Sequence, residues 1–97
     1  MANERPVLVT TVHKGVFFGF VDDRYHPGDA LVHLRQARNV IYWPAENRGF
    51  YGLAAWGPKA GARVGPAVPE SELRDITGVH QCTPEAVQAF EAHKWNR

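Results

Sequence analysis

"PVLVTTVHKGVFFGFVDD", residues 6–23, decides the fold class. Its runs at 7–12 and 16–21 are rich in β-branched and aromatic residues. They flank His13-Lys14-Gly15, where glycine can supply a positive φ, so the stretch predicts a β-hairpin. Along the second run Val16, Phe18 and Phe20 share one face, while Phe17, Gly19 and Val21 share the other. Both faces are apolar, and the strand is expected to be covered on both sides.

Outward from the hairpin, "DDRYHPGD" at 22–29 is a polar loop punctuated by Pro27-Gly28, the expected point of greatest mobility. "ALVHLR" at 30–35 alternates as a half-buried strand. "NVIYW" at 39–43 reads as another strand, stopped by Pro44, and the two suggest a bent pair around Gln36-Ala37-Arg38. "GFYGLAAW" at 49–56 has little side chain at Gly52, Ala54 and Ala55, which predicts a closely packed backbone or ring. "GPKAG" is a turn and "ARVG" a short strand. "PAVPESE" is an extended connection whose two prolines limit regular pairing.

"RDITGVHQC" at 74–82 predicts a last strand, interrupted at Gly78 as by a bulge. The period then changes. "TPEAVQAFEAHKW" opens with Thr83 as N-cap, Pro84 at the first helical position and Glu85 in the first turn. Val87 and Phe90, with Ala86 and His93 beside them, form a narrow apolar stripe for docking on a sheet, and Trp95 lies off it. The expectation is one mainly β (α+β) domain over 1–97, a small antiparallel barrel or rolled sheet. It has six short strands within 6–82 and one C-terminal helix at about 83–94.

No apolar run approaches the roughly 18 residues that cross a bilayer, and "MANERPVLVTT" has no signal-peptide stretch. A cytoplasmic protein is expected. The single cysteine, Cys82, makes no intrachain disulfide, so stability comes from packing or from partner subunits. Net charge is +1 but unevenly spread: −1 over 1–34, +4 over 35–68 and −2 over 69–97. Eight of the eleven basic residues are arginine, suited to planar contact with carboxylate or phosphate.

Motifs for a phosphate loop, a dinucleotide fold or a nucleophile elbow are missing. The histidines and Cys82 lack metal-ligand spacing, so no metal and no cofactor is expected. His80 and Cys82, two apart on one strand, form the one dyad worth testing, since a helix start beside Cys82 would lower a thiol pKa. No positioned third group accompanies them, and no catalytic residue is assigned. Asp22 and Asp23 are expected to be solvated at the hairpin's end.

Aromatics and arginines interleave from 38 to 69: Arg38, Tyr42, Trp43, Arg48, Phe50, Tyr51, Trp56 and Arg63. These are the candidate binding or interface residues. The mixture suits the filling of a small core, the anchors of a protein interface, or stacking and phosphate pairing with a nucleotide or single strand. A +4 middle and a −2 end are complementary surfaces for successive copies of one chain.

The order "VLVTTVHKGVFFGF", "ARNVIYW", "GLAAWGP", "RVGPAVP", "ITGVHQCTPEAVQAFEAHKW" resembles a family of small uncharacterised proteins of tailed bacteriophages and prophages, from Val7 to Trp95. The family is a domain of unknown function, so the resemblance implies a phage context and transfers no site residue. The "DDRYHPGD" loop is longer and more charged than the resemblance leads one to expect. The expected function is a non-enzymatic assembly module that self-associates through the central segment, with a host or phage protein as a further partner. The alternatives are sequestration of an anionic nucleotide-like ligand by Arg38, Arg48 and Arg63, or binding of single-stranded nucleic acid.

Overall fold

The computed structural model describes residues 4–12, 15–26 and 28–94. Six antiparallel strands form one sheet: β1 (Arg5–Thr11), β2 (Val16–Val21), β3 (Val32–Tyr42), β4 (Arg63–Val64), β5 (Val68–Leu73) and β6 (Ile76–Gln81). Two helices, α1 (Gly49–Trp56) and α2 (Pro84–Ala92), complete the described fold. The hairpin is present, with Leu8 opposite Phe18 and Val9 opposite Phe17. His13, Lys14 and Trp95 lie outside the described residues.

The sheet runs β4-β3-β2-β1-β6, and β5 pairs with the first half of β3. Only Arg74 and Asp75 separate β5 from β6, although these strands lie at opposite edges. Laid flat, five strands would hold those edges about 19 Å apart, whereas the three Cα steps from Leu73 to Ile76 reach about 11 Å at most. The sheet must therefore curl. No β5–β6 ladder forms among the described residues, so the roll stays open and does not close as a barrel.

Curling creates two cores, one for each apolar face of β2. Inside the roll lie Val7, Val9, Val21, Val32, Leu34, Ala37 and Leu73, with no helical residue among them. Outside it, Leu8, Val16, Phe18 and Val40 meet Leu53 and Ala54 of α1 and Ala86 and Phe90 of α2. The Phe18 and Phe90 rings stack with centroids 4.1 Å apart.

Four sequence expectations are corrected. The strands at 30–35 and 39–43 are one strand, β3, bent at Gln36, whose φ of 50° lies in the left-handed region. The proline-bearing connection is β5, which tolerates Pro69 because β3 is its one ladder partner and a proline on an open edge forfeits no bond. The segment at 49–56 is a helix, so two α-helices stand among the described residues. Asp22 is largely buried and not solvated: its carboxylate accepts from Arg24 N at 2.9 Å and Arg24 Nε at 3.1 Å. That pairing holds the Asp22 carboxyl below its usual pKa. Arg24 also reaches Glu70 at 3.3 Å, tying the 22–29 loop to β5.

Helix α1 carries weak local signals, with two glycines and no side-chain cap at its start. Tertiary contacts hold it instead. Buried Asn47 donates from Nδ2 to Gly57 O at 2.9 Å and accepts from Lys59 N at 3.1 Å, stapling both ends of the helical segment. A Cβ at Gly52 would fall 1.5 Å from Asn47 O, which is the close backbone approach its lack of a side chain predicted. Thr83 joins the helices: its hydroxyl accepts from Ala86 N at 3.1 Å as the N-cap of α2 and donates to Ala55 O at 2.7 Å.

Candidate functional site

The kink in β3 builds the site. From Phe18 to Phe20 on β2, the facing residues on β3 run from Arg38 to Arg35, so β3 carries one extra residue there. An extra residue reverses the in-and-out alternation. Before Gln36, Val32 and Leu34 point into the roll; after it, Arg38 and Val40 point to the helices.

Arg38 is thereby drawn under α2, leaving 8% of its surface exposed. Its Nε donates to Gly65 O at 2.7 Å, and Nη2 donates to Val64 O at 3.3 Å and His93 O at 2.7 Å. Its Nη1 donates to Phe90 O. The guanidinium therefore binds β4 and the carbonyl end of α2 to β3, and cations suit that end of a helix. Burial lowers its pKa.

Beside Arg38 a cavity of about 380 Å³ opens between β2, the kink and the end of α2. Phe18, Phe20 and Ala67 form its apolar wall. Gln36, Glu91 and His93 supply polar groups, and His93 Nε2 is itself engaged, donating to Ala62 O at 2.8 Å.

The eight residues singled out by sequence do not converge here. Arg38 lines the cavity, while Trp43 and Phe50 pack against the outer core. Tyr42, Arg48, Tyr51, Trp56 and Arg63 are exposed. Arg48 has φ 58° at the junction between a single 3-10 turn, Ala45–Asn47, and α1. Tyr42 and Arg63 face each other across β3 and β4, and Lys59 Nζ sits 5.3 Å from the Trp56 ring. Tyr51 joins Phe50 and His80 in an aromatic cluster with centroids 4.9 to 5.3 Å apart.

Sequence reasoning placed a bend around Gln36 without giving it a part in a site, and it missed Glu91 and Asn47. Polar residues within a strand or on a helix surface carry no signal for a cavity, and only the pairing register shows that the bend is an extra residue in β3.

The dyad expectation weakens. His80 is packed against Phe50 and Tyr51, and desolvation lowers its pKa. Cys82 is buried in the outer core, where burial pushes its thiol up to about 12 and overrides any help from the start of α2. Among the described residues, no three His, Cys, Asp or Glu side chains gather as metal ligands would, and no helix is long and apolar enough to cross a membrane.

A family model described as "Domain of unknown function (DUF6948)" matches residues 4–90. The chain belongs to this family. The match takes in all six strands and most of α2, and so includes the kink, Arg38 and the cavity wall as far as Phe90. No curated protein and no solved structure is significantly similar to the chain.

Proposed function

We propose that this chain is a non-enzymatic assembly module of phage type that binds a second copy of itself through the exposed part of the 38–69 segment. One observation carries the reading. Seven large apolar side chains are exposed among the described residues, and five of them, Ile41, Tyr42, Tyr51, Trp56 and Val68, come from this segment. Tyr51 is 68% exposed and Tyr42 52%. Rigid aromatic area left in water is the usual composition of an interface anchor.

Charge favours a second copy as the partner. Arg48 and Arg63 accompany the aromatics at the surface, while Glu70, Glu72, Glu85 and Glu91 are exposed on β5 and α2. Opposite charge on separate surfaces of one chain suits head-to-tail contact. Bonds to carbonyl groups take Arg38 off the open surface and leave one N–H of its guanidinium, so the two arginines of the segment that remain exposed, Arg48 and Arg63, make a weak phosphate clamp for a nucleotide or single strand.

Size-exclusion chromatography with light scattering at tens of micromolar is the test. The expected mass exceeds the 10.9 kDa of one chain, falls as salt is raised, and returns to one chain in Tyr51→Asp. A strict monomer at low salt overturns the reading.

A further inference from the structure

We propose that the cavity beside Arg38 is a binding site for a small organic carboxylate with an apolar body. The inference does not depend on self-association.

Three observations converge on it. A guanidinium carries five N–H groups. Four contacts to carbonyl oxygens are made by Arg38, and the second N–H of Nη1 has no partner among the described residues. No carboxylate lies within 4.0 Å of this guanidinium among the described residues, whereas Arg24, Arg35 and Arg74 each meet one. Carbonyl dipoles solvate a cation but leave its unit charge uncancelled, and buried charges are ordinarily paired.

The second observation is the space. The cavity of about 380 Å³ is of a size that holds one ring and a short acidic arm. Phe18 and Phe20, edge to face with centroids 5.6 Å apart, offer an apolar wall, and exposed Ala67 lines the same cavity.

The third is the backbone. Gln36 holds a left-handed conformation that is unfavourable for a residue with a side chain, and the kink it makes is what turns Arg38 towards the cavity. Strain concentrated beside a cavity and a buried cation is the pattern of a preformed site. Glu91 lines the same cavity and repels an anion, so it limits affinity and favours a singly charged ligand.

The experiment is a titration of the isotope-labelled full chain by amide-resolved NMR, with sodium phenylacetate as probe and 2-phenylethanol as its neutral isostere. Phenylacetate is expected to shift the Gln36, Ala67, Glu91 and His93 amides and the Arg38 Nε–H signal saturably in the millimolar range. The neutral alcohol should bind at least tenfold more weakly, the value of one good charge-assisted contact. Glu91→Gln should tighten phenylacetate several-fold.

Replacing Arg38 removes four structural bonds, so occupancy is tested by Ala67→Leu, an exposed position at the mouth. This variant should unfold at an unchanged midpoint and lose the shifts. Equal binding of the alcohol, shifts that survive Ala67→Leu, or no saturable shift by about ten millimolar overturns the proposal.

Discussion

The two halves of β3 carry the same kind of residue to opposite fates. Arg35, before the kink, is exposed and meets Glu4 at 3.0 Å. Arg38, after it, is buried under α2 and bonded to four carbonyl oxygens. Both are arginines on one strand, and neither local sequence marks one for burial. A single left-handed residue between them puts Arg38, paired with Phe18, on the same face as Arg35, paired with Phe20, and the end of α2 covers that face at Arg38. Whether a charged residue is surface or scaffold is here a matter of what covers its face, not of residue type.

The comparison breaks most readily at Arg38. Arg38→Met leaves buried carbonyl groups without donors, and the expected loss is roughly 3 to 5 kcal/mol in urea unfolding. That is a large part of the roughly 5 to 15 kcal/mol that stabilises a small domain. Arg35→Met should cost about 1 kcal/mol or less, the range of exposed ion pairs. Equal losses would mean that cover by α2 does not decide the role of either residue.

Phe90→Ala tests the face to which the second half of β3 turns. Removing a fully buried ring stacked on Phe18 should cost roughly 3 to 4 kcal/mol in the same measurement.

At the kink itself, Gln36→Val should destabilise by roughly 1 to 2 kcal/mol, because a β-branched side chain resists the left-handed region. Gln36→Gly should stay within about 1 kcal/mol of the parent, since relief of strain and loss of chain entropy oppose each other. A Gln36→Val protein of full stability would remove the kink from this account.

Thr83→Ala, which unties the start of α2 and its link to Ala55, should cost about 1 kcal/mol by thermal melting.

The smallest expected effect is on pH dependence. The folded pKa of His80 lies below its ordinary 6.5 because desolvation disfavours the charged ring. In the window from 6.5 down to the folded value the unfolded chain holds more protons, so stability present at neutral pH declines as pH falls through that window. His80→Gln should flatten this part of the stability profile measured by urea midpoints from pH 7 to 5.

Much of the framework was legible beforehand. The hairpin of β1 and β2 follows from β-branched and aromatic runs around Gly15, and α2 follows from Thr83, Pro84 and Glu85, because these signals act over a few residues. Both apolar faces of β2 were expected to be covered, and they are. α1 was not legible, since Gly49 and Gly52 argue against a helix and Asn47 holds it from outside. β5 was hidden by Pro66 just before it and Pro69 within it, the latter accepted because the strand is an edge. Of the candidate residues, the exposure of Tyr51 and Trp56 and the burial of Arg38 could not be separated in advance, because all belong to one aromatic and basic stretch.

What the order of residues determined by itself was local: two β-runs about a turn, a capped terminal helix, and enough apolar positions to demand cover on both sides of a sheet. What only the tertiary structure decided was the curl imposed by the short Arg74–Asp75 link, the reversal at Gln36, and the cavity between β2 and α2. Those depend on strand register, and register is settled by contacts between residues far apart in the chain, which no short window of sequence contains.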